Sequence, residues 1–284
     1  MRVLLLLAVG LALTAGAATK VEPWTPLFEG VAFARGEADD PRLQKVAVVR
    51  VDLQAPGVSF LVTPDNGKAP KETTSETTSQ FLERNRLQVA INANFFDPCC
   101  DEGEKDVLGL AVSRGVVVSP ARVTGIGAVA LCITKDNRAR FTRTGPAFST
   151  GDVWTAVAGS ALVLVGGQKP LLADSAFDRT LHPRTAIGLS ADGRYLILLV
   201  IDGRRPGHSE GATMDDVATW LLRFGASEGL NLDGGGSTSL VRADGEKVVP
   251  LNRPSGAALG TSENGERSNG NNLGVFARPL AGKE

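Results

Sequence analysis

Aromatic side chains are scarce, 5% of 284 residues with a single tyrosine, which argues against a binding surface built from stacked rings. Histidine occurs twice, at His182 and His208, too few to build a His-rich two-metal hydrolytic site easily. Three cysteines, Cys99, Cys100 and Cys132, together with two histidines give poor support to a Cys/His zinc site. Adjacent cysteines rarely pair, because that bridge is strained. The spacing therefore predicts Cys132 bonded to Cys99 or Cys100, with one thiol left over. Neither sign of charge dominates: 30 Lys and Arg stand against 31 Asp and Glu, for a net charge of -1. This balance offers no basic footprint for nucleic acid and no polybasic membrane patch. An anionic ligand must be held by local groups.

Long apolar runs are also missing beyond the first residues. Arg2 precedes an apolar run over residues 3–13, and Ala15-Gly16-Ala17 has the A-x-A form that signal peptidase accepts. The run is shorter than the roughly 20 residues of a spanning helix. Residues 1–18 are therefore expected to be a cleaved signal peptide. The protein is expected to be secreted or periplasmic, with no stable membrane anchor after cleavage. A hydrophobic fraction of 43% is enough to bury a core in the remaining residues, 19–284.

Residues 19–45 read as an initial strand and a loop, interrupted by Pro23, Pro26 and Pro41. Strands are predicted over 46–53, 58–63, 88–93, 161–165 and 273–277, and hairpins within 108–118 and across 128–133 and 138–142. A short helix is expected over 77–86, and the acidic run 101–106 reads as solvated. Residues 185–189 and 195–201 flank Asp192-Gly193, whose composition suits a type I′ turn. The second arm is nearly all apolar and should be a central strand buried on both faces. Thr213 and Asp216 form an approximate capping box for a helix carrying Val217, Trp220, Leu221 and Phe224 on one face, stopped by Gly225. Strands are then expected at 230–233 and 237–242, with a long polar loop over 252–272. Many short strands and few helices point to one α+β domain with a mixed, mostly antiparallel sheet core, whose motifs lie in 88–277.

Four clusters place polar groups at the end of an apolar strand: 92–97, 182–185, 202–204 and 233–238. Strand ends held by a rigid sheet are common positions for sites. Asp233 precedes three glycines and Ser237-Thr238-Ser239. It reads either as a carboxylate catalyst beside an anion-binding turn or as a capping Asp in a hairpin. No Lys follows the glycines, so a Walker-type loop is unsupported. Arg204 and Arg184 are either bidentate phosphate ligands or solvated residues at strand ends. Asn92 and Asn94 lie on one side of an extended chain, as sugar-binding amides or as turn residues.

Taken together, Ile91-Asn92-Ala93-Asn94-Phe95-Phe96, Pro183-Arg184-Thr185-Ala186-Ile187-Gly188, Asp202-Gly203-Arg204, Gly211-Ala212-Thr213 and Asn231-Leu232-Asp233-Gly234-Gly235-Gly236-Ser237-Thr238 resemble the phosphodiester glycosidase family. The tail adds Arg253-Pro254-Ser255, Glu266-Arg267 and Asn271-Asn272-Leu273-Gly274-Val275. The matches keep family order over about two thirds of the chain. They depart from it at Ala93 and Asn94, where glycines are usual, and at Asn269, where an apolar residue is usual.

The resemblance implies an exported hydrolase that cleaves the sugar–phosphate bond of a sugar-1-phosphodiester or envelope glycan, with an N-acetylglucosamine-type sugar. It implies Asp233 and Asp202 as catalytic carboxylates and Arg184 and Arg204 as the groups that neutralise the departing phosphate. Asn92, Asn94, Thr185, Glu210, Thr213, Gly235, Ser237, Thr238, Arg267 and Asn271 would bind substrate, with Asp97 a further candidate. No cofactor is expected to be required. Calcium shared by Asp97, Asp202 and Asp233 is an alternative, although no loop has a recognised calcium spacing. Two other classes compete: a non-catalytic glycan- or wall-binding module, and a phosphodiesterase that cuts the P–O bond.

Overall fold

The computed structural model describes residues 19–145, 147–172, 175–256 and 265–282. The proposed signal peptide and residues 257–264 of the long polar loop lie outside them. Among the described residues every strand ladder is antiparallel, so the sheets are not mixed. Helices are few and short, at Thr78–Asn85, Ala176–Arg179 and Met214–Arg223.

The largest sheet has eight strands, with Tyr195–Ile201 at its centre between Gln44–Asp52 and Arg184–Leu189. Residues along a strand alternate between faces. Leu196, Leu198 and Val200 join the core shared with the other sheets, while Ile197, Leu199 and Ile201 pack beneath the Met214–Arg223 helix. The all-apolar sequence of this strand follows from burial on both faces. The helix begins with the expected Thr213/Asp216 capping box, and its first turn is tied to the loop before Gln44–Asp52 by the Arg42–Asp216 ion pair at 3.0 Å. It can lie close because Gly229 faces it: a Cβ there would stand 2.5 Å from Leu221.

A five-stranded sheet packs against the shared core in the order Lys247–Pro250, Leu240–Asp244, Val89–Asn92, Asn272–Phe276 and Ser59–Val62. Another five-stranded sheet contains Thr155–Gly159 and Val129–Ile133, and a small three-stranded one contains Glu104–Val107.

Several expectations fail locally for identifiable reasons. Val31–Ala38 is an eight-residue strand where a loop was expected; Arg35, Gly36 and Glu37 mask its pattern, and Gly36 is needed where Trp220 packs on it. Glu104–Val107 is a strand, not a solvated acidic run, because every second residue, Lys105 and Val107, turns inward. Thr155–Gly159 carries small residues that give little sequence signal. Residues 237–239 do not extend the strand that begins at Leu240, because the three glycines lead into a short 3₁₀ turn at Gly235–Ser237. The disulfide also differs from expectation. Cys99 pairs with Cys100, and Cys132 is a buried free thiol in the middle of a sheet, packed with Leu110, Val112 and Ala156. Burial pushes that thiol up to about 11.

Candidate active site

Register brings five chain segments to one seam. Arg184 pairs with Ile201, Ala186 with Asn231, and Asn92 with Asn272. The residues just beyond these positions therefore meet where the eight-stranded sheet abuts the five-stranded one. The seam is stitched by backbone hydrogen bonds: Asp233 N–H donates to Ala93 C=O at 3.0 Å, Leu232 N–H to Thr185 C=O at 2.9 Å, and Gly235 N–H to Pro183 C=O at 2.8 Å.

Asp233 leaves the Glu228–Asn231 strand with its side chain only 13% exposed. Burial pushes its carboxyl up to about 6, against the opposing pull of Ser237, Arg267 and the Gly234 N–H. Arg267 Nη2 stands 3.9 Å from Asp233 Oδ2 and donates a hydrogen bond to Ser237 Oγ. Arg204 approaches the same turn from the other side. A Cβ on Gly235 would fall 3.1 Å from its Nη2, and a Cβ on Gly236 would fall 3.2 Å from Arg267 Nη1. Gly235 also adopts φ of +62°, in the left-handed region. The glycines thus let two guanidinium groups close on one turn beside one carboxyl.

Arg204 forms no ion pair with a carboxylate among the described residues; its Nη2 donates to His182 Nδ1 at 3.2 Å. That bond places the neutral ring's proton on Nε2. Burial first, then Arg184 and Arg204, lowers the His182 pKa and favours the neutral ring. Phe177 lies beside His182, with ring centroids 6.5 Å apart, and beside Phe95 at 6.4 Å.

The remaining expected site residues have other work. Arg184 is 1% exposed and commits its guanidinium to the carbonyls of Ala212, Phe177 and Thr180, at 2.9, 2.7 and 2.8 Å. It braces the turn before the sheet and leaves no free N–H pair for a phosphate. Asp202 accepts hydrogen bonds from His208 Nε2, Asn252 Nδ2 and Arg253 N–H at 2.9 to 3.0 Å, so its oxygens are filled. Asn92 is completely buried: its Nδ2 donates to Asp233 C=O, and its Oδ1 accepts from Thr185 Oγ1 and Ser239 N–H. Asn94 Oδ1 accepts from Ala158 N–H and Asn271 Nδ2. Thr238 Oγ1 lies 3.3 Å from Thr185 Oγ1, inside the seam. These amides and hydroxyls support the site from behind and do not face a sugar. Thr213 is a helix cap, and Glu210 is exposed. Among the described residues no three of His, Cys, Asp and Glu come together as a ligand group, so Asp97, Asp202 and Asp233 do not form one.

Residues 85–276 match the family model described as phosphodiester glycosidase, more than half of the chain. The chain belongs to the phosphodiester glycosidase family. The catalytic domain of zebrafish N-acetylglucosamine-1-phosphodiester alpha-N-acetylglucosaminidase, auto-inhibited by its pro-peptide, has a similar fold, with a TM-score of 0.68 and 21% identity over 92% of this chain and 88% of that one. A hypothetical protein from Synechocystis aligns with a TM-score of 0.63 and 18% identity, over 88% of this chain and 62% of that one. The SPbeta prophage-derived uncharacterized protein YomE of Bacillus subtilis (strain 168) is 29% identical over 178 residues, 58% of this chain. The chain spans only 26% of YomE. In this phosphodiester glycosidase fold, the structure brings Asp233, Gly235, Ser237, Arg204 and Arg267 of the expected site residues together around one turn. Sequence reasoning left His182 and Phe177 unassigned.

Proposed function

We propose that the chain is an exported glycosidase that hydrolyses the bond between the anomeric carbon of a sugar and the phosphate oxygen of a sugar-1-phosphodiester. The products are free sugar and a phosphomonoester. One observation carries this reading: a buried carboxyl, Asp233, sits at a side-chain-free turn flanked by Arg204 and Arg267, neither in a close ion pair. The departing phosphomonoester is already a good leaving group, so it needs little help from a general acid. Two guanidinium groups can stabilise the charge that builds on it. Ionised Asp233 then activates water or stabilises oxocarbenium charge at the anomeric carbon. Arg267 takes the part that sequence reasoning gave to Arg184.

The zebrafish enzyme acts on N-acetylglucosamine-1-phosphodiester, which makes an N-acetylglucosamine-type sugar the first to test. The apolar run over residues 3–13 and the Ala15-Gly16-Ala17 site support export. Protein side chains supply every charge this scheme needs, so no metal is included.

The test is product analysis on UDP-N-acetylglucosamine and on a methyl phosphodiester of N-acetylglucosamine-1-phosphate. Free sugar from the wild-type protein, lost in Asp233→Asn, supports the reading. Release of sugar-1-phosphate indicates P–O cleavage instead. Glycan binding with no product from either substrate indicates a binding module.

A further inference from the structure

The Cys99–Cys100 disulfide has no role in the chemistry above, yet it touches the residue that matters most after Asp233. Cys100 Sγ accepts a hydrogen bond from Arg267 Nη1 at 2.8 Å. The other terminal nitrogen, Nη2, donates to Ser237 Oγ, and Nε is buried without a partner. The guanidinium is therefore held from two sides, by a sulfur and a hydroxyl, and neither is charged. The one carboxylate beside it, Asp233, remains at 3.9 Å, short of a close ion pair. A movement of about 1 Å would give the 2.8 Å contact of a charge-assisted hydrogen bond. Such a contact would tie up the arginine and deepen the charge of the carboxylate.

Resting on the reading just given, we propose that the Cys99–Cys100 disulfide is a positioning element. It holds Arg267 off Asp233 and leaves the guanidinium open to an anionic substrate. The loop is suited to this. Cys99 is exposed, Cys100 is half-buried, and the pair follows directly from the Phe96–Asp97 strand that enters the site. The ring of Phe96 packs under the Arg267 guanidinium at 5.9 Å and sets the plane in which it can swing. The charged and titratable groups around Asp233 are few: Arg267 from the tail, Arg204 across Gly235, and His182 bonded to Arg204. Only Arg267 is tied to the disulfide.

The experiment reads the Asp233 carboxyl directly by ¹³C NMR titration, assigned with Asp233→Asn, alongside KM and kcat. Three samples are compared: oxidised wild type, the Cys99→Ser/Cys100→Ser variant, and wild type reduced by a dithiol. In the last, the disulfide takes two electrons and two protons from the reductant, which closes to its own disulfide. Breaking the bond should lower the Asp233 midpoint by about one pH unit or more. It should also raise KM for the phosphodiester about tenfold, with a smaller change in kcat. An unchanged midpoint in both reduced and variant protein overturns the proposal. The titration needs no substrate, so failure of the glycosidase assay and failure of this idea are separate results. The reduced wild type keeps the test intact if the variant does not fold.

Discussion

Asp202 and Asp233 look alike in sequence, each an Asp-Gly at the end of an apolar strand, yet the fold gives them opposite tasks. The Asp202 oxygens receive His208, Asn252 and the Arg253 N–H, so the carboxylate is a clasp that fastens the 252–253 turn to the central strand. Asp233 is nearly as buried, and its carboxyl is pushed up to about 6 because burial outweighs the pull of Ser237, Arg267 and the Gly234 N–H. A carboxylate whose oxygens are taken up by fixed donors serves as a structural clasp, whereas one whose burial outweighs its donors is costly to keep charged.

The sharpest break of this comparison is in turnover. Asp233→Asn should reduce kcat by about 10³-fold or more, while Asp202→Asn should retain activity within about tenfold at a temperature where it is folded. Equal losses measured in steady-state assays would erase the distinction. Next come the arginines: Arg204→Ala and Arg267→Ala should each lower kcat/KM by about 10²-fold. Arg184→Lys should act instead on the midpoint of thermal unfolding, since Arg184 serves backbone carbonyls.

Stability against pH reports on Asp233. The folded pKa of Asp233 is raised from 3.8 to about 6, so its protonated form is favoured by folding. That contribution is complete below about pH 4 and is lost as pH rises through 6. Asp233→Asn should therefore be more stable than wild type above pH 6, by at most about 3 kcal/mol, with no gain below pH 4. Asp202→Asn should be less stable at neutral pH by about 2 kcal/mol, because charged hydrogen bonds are weakened. Denaturant melts at pH 4 and pH 7.5 measure both. The smallest effect expected is that of a chelator: treatment with EDTA should leave the hydrolysis rate unchanged.

Local signals in the sequence carried the elements whose causes are local. The capped Met214–Arg223 helix and the glycine turn after Asp233 appear where composition places them, and so does the Asp192-Gly193 hairpin, although only Gly193 takes a positive φ and residues 190–194 join the strands, so the turn is not type I′. What could not be read is which donors would be used up by the fold. Asn92, Asn94 and Arg184 carry polar groups that suit a sugar or a phosphate as well as a carbonyl. Their partners come from residues as distant in sequence as Asp233 for Asn92 and Asn271 for Asn94. The choice between Cys132 and an adjacent partner for Cys99 likewise depended on a sheet that buries Cys132 out of reach.

The Asn92 side chain touches Thr185, Ser239 and the Asp233 backbone at once, which makes it a rivet through both sheets at the reacting centre. Loosening either sheet moves the carboxylate proposed to react. Catalysis and global unfolding should thus be lost over the same temperature range, with no window in which the protein is folded but its active site has already melted.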